Sequence, residues 1–134
     1  MLRPDDRFIY LSDGGHWENL GVVELLRRHC THVLCFDASS DVTGSGQDLG
    51  RAIALARSDL GDEIALDPRP TSADGEGYAA DVAVRGTISY PNRADEAKLV
   101  YARAVLTTET SWDLHAFRQR DHLFPNHPTS QQMF

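Results

Sequence analysis

Two different patterns of apolar and polar residues occur near the start of the chain. Phe8-Ile-Tyr-Leu11 is a short apolar run typical of a strand, and it stops at the turn-forming Ser12-Asp-Gly-Gly15. Over residues 20–28 the apolar positions instead recur at helical spacing, with charged side chains between them. This segment predicts an amphipathic helix, and Asn19 before it predicts the N-cap.

A second strand is predicted directly after that helix. Thr31–Phe36 is nearly all apolar or β-branched, which is typical of a strand buried on both faces, and it ends at Asp37. A strand, a helix and a strand joined by short connections predict a parallel pair with a crossover helix.

The rest of the chain predicts a helix, several strands and a closing helix. The alternation of Val82, Val84, Ile88 and Tyr90 with polar residues is typical of a strand with one buried face. In chain order the predicted elements are a helix over 48–60, a short strand over 63–66, a surface loop over 67–79, a hairpin of strands 81–90 and 98–106, and a helix over 112–120.

Composition limits the classes of protein and partner. The 134 residues amount to about one domain. Thirteen basic residues against twenty acidic ones give a net charge of −7, which argues against a nucleic-acid partner. No apolar run approaches the roughly 20 residues of a membrane span, and the first residues do not resemble a signal peptide. Two cysteines five positions apart favour free thiols and a reducing, cytoplasmic compartment.

The most informative stretch for chemistry is Tyr10–Gly21. Asp13 closes the first predicted strand, where α/β proteins collect reactive groups. Gly14 and Gly15 carry no side chains, so that a partner could approach the carboxylate closely. The positive end of the following helix would favour an ionised carboxylate or a developing oxyanion. The alternative is a structural turn in which the aspartate caps backbone amides.

This stretch resembles a known family. Asp13-Gly-Gly-His-Trp-Glu-Asn-Leu-Gly21, continued to Phe36-Asp-Ala38, resembles the aspartate region of bacterial patatin-like phospholipases and, more distantly, of cytosolic phospholipases. Gly86-Thr-Ile-Ser-Tyr-Pro91, Leu99-Val-Tyr-Ala102 and the segment starting at Phe124-Pro-Asn-His look like downstream blocks of the same family. The resemblance therefore spans almost the whole chain in order.

The resemblance implies a serine–aspartate dyad that hydrolyses lipid acyl esters without a cofactor or a metal. Asp13 matches the dyad aspartate, which would accept the proton of the nucleophilic serine. Gly14 and Gly15 match the glycines that follow that aspartate, and His16 would help to shape the substrate site. The implied partners are a lipid or ester substrate and, through the full-length protein, a membrane surface.

One part of the family pattern is missing from these residues. No Gly-x-Ser-x-Gly nucleophile motif and no glycine-rich oxyanion segment occur, and Thr43-Gly-Ser-Gly46 lacks the first glycine. We therefore expect residues 1–134 to be the C-terminal portion of a patatin-like domain, inactive alone. The expected fold is part of a three-layer α/β/α domain with a mostly parallel sheet and an antiparallel hairpin. The alternative is a non-catalytic patatin-like remnant that acts as a binding or interaction module.

Other signals favour structural roles. Glu18 and Asn19 are expected to fix the turn and cap the helix. Asp37 is expected to cap a helix or anchor a loop, and the alternative is an acceptor that supports the site. His29, Cys30, His32 and Cys35 do not have the spacing of a zinc site, and a strand would point the last two to opposite faces. Gly44-Ser-Gly46 with Gly50 has the wrong spacing for a nucleotide loop.

Overall fold

The computed structural model of the protein describes residues 14–41 and 44–127. The helices are α1 (Val22–Arg27), α2 (Gln47–Leu55) and α3 (Trp112–Arg120), and the strands are β1 (His32–Asp37), β2 (Glu63–Ala65), β3 (Ala83–Ser89) and β4 (Ala97–Arg103). A π-helical turn, Ala56–Leu60, extends α2, and two 3₁₀ turns lie at Gly14–His16 and Arg69–Thr71. None of the described helices combines the length and the apolar character that crossing a membrane requires.

The four strands form one mixed sheet in the order β1-β4-β3-β2. β1 pairs with β4 in parallel, whereas β4 pairs with β3 and β3 with β2 in antiparallel fashion. The α/β class and the predicted hairpin of β3 and β4 are confirmed. A mostly parallel sheet is wrong for the described residues, because the hairpin and β2 supply two antiparallel pairs. The strand predicted over 8–11 lies outside the described residues.

One face of the sheet carries the core. α1, α2 and the π-helical turn cover this face, and their small and branched side chains pack on alternate residues of each strand. The largest of the fully buried side chains are Tyr101, Leu26, Ile88 and Leu99. β1 is buried only at every second residue, which is the pattern of a strand that is covered on a single face.

The other face of the sheet is open over β1. Leu34 and Phe36 expose 62% and 77% of their surface, although the sequence predicts a strand buried on both faces. That prediction is wrong for the described residues, because no described helix packs on this side. The third layer of the expected three-layer domain is likewise not among the described elements.

Gly86 occupies a crowded point of the sheet. A Cβ atom at this position would lie 2.5 Å from the carbonyl oxygen of Ala65 and 2.8 Å from a methyl carbon of Leu66. Leu66 leaves the end of β2 and packs against the core at this point. Gly86 is thus required by the close approach of a neighbouring backbone.

We expect Gly86→Ala to lower the free energy of unfolding by about 1–3 kcal/mol, because a backbone carbonyl cannot move aside cheaply. Gly50→Ala in α2 is the matched control. Its added methyl group meets no atom of the described residues within 4 Å, and it should raise stability by about 0.5–1 kcal/mol. Urea denaturation of the two variants measures both effects, and equal stabilities would contradict the packing argument.

Candidate functional site

The glycines of the Asp-Gly-Gly segment form a tight 3₁₀ turn. The carbonyl oxygen of Gly14 accepts the backbone N–H groups of Trp17 at 3.0 Å and Glu18 at 2.9 Å. The carbonyl oxygen of His16 accepts a guanidinium N–H of Arg51 in α2 at 2.9 Å. The turn is therefore fixed both internally and to the helical layer, while its own residues stay exposed.

Glu18, rather than Asn19, holds the start of α1. Its buried carboxylate accepts the backbone N–H groups of Leu20 at 2.5 Å and Val23 at 3.1 Å. Gly21 occupies the N-cap position with a positive φ of 70°, so α1 begins two residues later than the predicted helix. The expectation of a capping Glu18 is confirmed, and the N-cap assigned to Asn19 is wrong.

Asn19 instead links the turn to α2. Its side-chain amide donates to the carboxylate of Asp48 at 2.9 Å. At the N-terminus of α1, the backbone N–H of Val23 in the first turn donates to the carboxylate of Glu18.

Asp37 is a second buried carboxylate and lies at the carboxyl end of β1. One of its oxygens accepts the hydroxyl of Tyr101 at 2.5 Å. The other accepts both the backbone N–H and the hydroxyl of Ser39, at 2.9 and 2.6 Å. The contact of Ser39 with Asp37 belongs to a local turn of the backbone, and three donors satisfy this carboxylate. Its expected role as a loop anchor is confirmed.

The pKa of the Cys35 thiol depends on its burial and on the two buried carboxylates. Burial, followed by the negative charges of Asp37 and Glu18, raises the pKa of the Cys35 thiol to about 12. Burial and the hydrogen bond to Asp37 also raise the pKa of the Tyr101 hydroxyl. The Cys35 thiol and the Tyr101 hydroxyl therefore stay protonated at neutral pH. This end of the sheet disfavours a thiolate nucleophile.

A buried ion pair joins Asp41, which follows β1, to Arg103 at the end of β4. The guanidinium of Arg103 donates to the carboxylate of Asp41 at 2.6 Å, and both side chains are almost fully buried. Asp41 also accepts the backbone N–H of Gly46 at 2.6 Å and that of Ser45 at 3.1 Å. Since the amides of the Gly44-Ser-Gly46 segment are taken up by Asp41, the loop does not offer them to a phosphate.

A cleft of about 240 Å³ lies beside Arg103 and is lined by Asp41, by Gly44 and by residues of the segment after α3. Arg103 and Arg118 contribute positive charge to it, and Asp41 and Asp74 contribute negative charge. Arg118 is held by the carbonyl of Gly77 at 2.5 Å. The cleft is therefore polar but balanced in charge.

The histidine and cysteine residues of the β1 region do not converge. His32 is exposed and Cys35 is buried, so the prediction that they point to opposite faces is confirmed. Among the residues of 14–41 and 44–127, no three side chains of the metal-ligating types come together.

The structure brings Gly14, Gly15 and His16 together in the turn, whereas Asp13 lies outside the described residues. Sequence reasoning missed Asp41, Tyr101 and Arg103. A signal existed for the last two, because they alternate with Leu99 and so share the buried face of β4 with it. Comparisons with protein-family models, with curated proteins and with solved structures found no match.

We expect Cys35 to be alkylated by iodoacetamide at pH 8 at least about a hundredfold more slowly in the native protein than in urea, because its raised pKa leaves little thiolate. A Cys30→Ser variant isolates Cys35, and a Cys35→Ser variant isolates Cys30 as the comparison. Mass spectrometry of the labelled chains measures both rates. Fast native labelling of Cys35 would show that the thiol is accessible and ionised.

Proposed function

We propose that this chain supplies the catalytic base of a serine–aspartate lipid acyl hydrolase, with Asp13 as that base. In this mechanism the carboxylate of Asp13 accepts the proton of a serine hydroxyl as the oxygen attacks the ester carbonyl. It then assists water in cleaving the acyl-enzyme. The proposal rests first on the resemblance of the Asp13–Gly21 segment to patatin-like phospholipases.

The observation that carries the proposal furthest is the fixed turn directly after Asp13. Gly14 is tied to Trp17 and Glu18, and His16 is tied to Arg51 in α2. A catalytic base has to be held within a few tenths of an ångström of its partner, and anchored backbone next to it provides that restraint. Among the described residues, no atom lies within 4 Å of the position that a side chain of Gly14 would take, which leaves room for an approaching substrate or hydroxyl group.

The electrostatics near the turn also support a basic aspartate. A free aspartate has a pKa of about 3.9 and is a weak base. Burial, followed by the negative charges of Asp37 and Glu18, raises the pKa of Cys35, and the same causes would raise the pKa of a carboxyl group brought close to them. A carboxylate with a raised pKa is a stronger base toward a serine hydroxyl.

The nucleophile has to come from a segment that these 134 residues do not contain, because they include no Gly-x-Ser-x-Gly sequence. Ser39 does not replace it, since its hydroxyl and its amide both bind Asp37 within a local turn. In the proposed enzyme, a serine on a sharp turn elsewhere in the polypeptide meets Asp13.

A second candidate function is a non-catalytic binding module. The exposed Leu34 and Phe36 favour it, because an apolar sheet face open to water is typical of a surface that meets a partner. The two functions differ in whether a nucleophilic serine works with Asp13.

Intact mass and N-terminal sequencing of the native polypeptide decide whether a Gly-x-Ser-x-Gly segment precedes these residues. In that polypeptide, Asp13→Asn should lower kcat for ester hydrolysis by about 10²–10⁴-fold without changing the melting temperature. Asp95→Asn, in the exposed hairpin loop, is the control and should keep full activity. Retained activity in the Asp13 variant, or a native polypeptide without an upstream nucleophile, would overturn the dyad.

Gly14→Ala tests the space next to the proposed base. The added methyl group meets no described atom, so the free energy of unfolding should change by less than about 0.5 kcal/mol. Ester hydrolysis should nevertheless fall by at least about tenfold, because the methyl group intrudes where the substrate approaches. Full activity would show that substrate does not come close to this glycine.

A further inference from the structure

The cleft beside Arg103 lies at the carboxyl ends of β1 and β4. These two strands run in parallel, and their last residues, Asp37 and Arg103, are partners in the register. Arg103 alternates with Leu99 and Tyr101 along β4. It therefore shares the face that the helices cover, and the cleft begins on that face rather than on the open one. Ligands of α/β proteins commonly bind at the carboxyl ends of the strands.

The first part of α2 connects this cleft to the turn that follows Asp13. Arg51 of α2 donates to the carbonyl oxygen of His16 in the turn. Asp41 in the wall of the cleft accepts the backbone N–H of Gly46, the residue before α2. Gly46 and Arg51 are separated by only about 7 Å along the helix axis. We therefore expect one lipid molecule to reach both the cleft and the proposed base.

Hydrogen bonds fix the walls of the cleft. The hydroxyl of Ser40 donates to the carbonyl oxygen of Asn126 at 3.2 Å, which joins the chain after β1 to the segment after α3. Asp41 and Arg103 pair at 2.6 Å and so neutralise each other. The volume of about 240 Å³ holds about eight water molecules, and a phosphoethanolamine group has about that number of non-hydrogen atoms.

Two charges of opposite sign remain in the cleft. The guanidinium of Arg118 donates to the carbonyl oxygen of Gly77 at 2.5 Å, and its carbon lies 5.5 Å from the centre of the Tyr78 ring. One carboxylate oxygen of Asp74 accepts the backbone N–H groups of Glu76 at 2.9 Å and Tyr78 at 3.0 Å. Backbone hydrogen bonds, chiefly that from Tyr78, and the charge of Arg118 lower the pKa of Asp74, which stays ionised at neutral pH.

The charges of Arg118 and Asp74 are not combined in an ion pair, with each other or with another side chain of the described residues. A cation and an anion that line one cleft without pairing favour a ligand that carries both charges. A purely anionic ligand would be repelled by Asp74 and by the net charge of −7. His122 adds a hydrogen-bonding group to the lining, and the exposed Leu123 adds apolar surface.

We infer that this cleft binds the head group of a zwitterionic phospholipid, with the phosphate on Arg118 and the ammonium group on Asp74. The zwitterionic character follows from the two unpaired charges of the cleft. The choice of a lipid rests on the proposed function, because acyl ester hydrolysis at Asp13 requires an ester-linked chain beyond the head group. Arg118 and Asp74 then determine which head group the enzyme accepts, and they take no part in the proton transfer.

Titration of the native polypeptide with glycerophosphoethanolamine, followed by ligand-observed NMR, tests the cleft without catalysis. This compound keeps the zwitterionic head group and has no acyl ester. We expect it to bind at least about threefold more tightly than glycerophosphate, which lacks the ammonium group, because an exposed ion pair contributes modestly. Equal or tighter binding of glycerophosphate, or no binding of either compound, would overturn the inference.

Asp74→Asn separates the charge of Asp74 from its structural role, because asparagine keeps a side-chain oxygen for the backbone N–H groups. This variant should bind glycerophosphoethanolamine about threefold more weakly and glycerophosphate at least as tightly as before. Arg118→Gln should weaken the binding of both compounds. Asp95→Asn and Arg120→Gln, at exposed positions outside the lining, are the controls and should leave both affinities unchanged. An equal loss of both ligands in Asp74→Asn would show a structural role and overturn the inference, as would unchanged binding in Arg118→Gln.

Hydrolysis by the native polypeptide tests whether the cleft serves the lipid substrate. Asp74→Asn should raise KM for phosphatidylethanolamine by about threefold with little change in kcat, and it should not raise KM for phosphatidylglycerol. An unchanged KM for phosphatidylethanolamine would overturn the assignment to a lipid head group. Asp13→Asn should bind glycerophosphoethanolamine normally, so a failure of the dyad and a failure of this cleft give different results.

Discussion

The parallel pairing of β1 with β4 is the constraint on which the rest of the structure depends. Its register sets Cys35 beside Tyr101 and Asp37 beside Arg103, all on the face that the helices cover. Each polar group that this register buries requires a partner, because an unpaired buried charge costs several kcal/mol. Tyr101 meets that need for Asp37, and Asp41 meets it for Arg103.

These partners determine the shape of the surrounding loops. Asp41 reaches Arg103 only if the chain after β1 folds back, and the same carboxylate then binds the amides of Ser45 and Gly46 at the start of α2. The network also specifies the register, since a slip of one residue would move Asp37 and Arg103 to the opposite face. The polar residues at this edge thus select one pairing among several that the apolar pattern would tolerate.

Local patterns predicted the elements better than their arrangement. A period of two predicts the strands of the hairpin, and a period of about 3.6 predicts α2. The structure contains both elements. The pairing of β1 with β4 joins segments more than sixty residues apart, and no local pattern encodes it. Asn19 is of a residue type preferred at N-caps. The backbone N–H groups of Leu20 and Val23 nevertheless donate to the longer side chain of Glu18.

The wrong prediction that β1 is buried on both faces is itself informative. A strand covered on one face should alternate apolar and polar residues, but Val33-Leu34-Cys35-Phe36 is apolar throughout. The core accounts for Val33 and Cys35 and leaves Leu34 and Phe36 unexplained by any described contact. Local rules that disagree with the fold commonly mark functional positions. In β1 the disagreement agrees with the expected three-layer domain, because a further layer on this side of the sheet would bury Leu34 and Phe36.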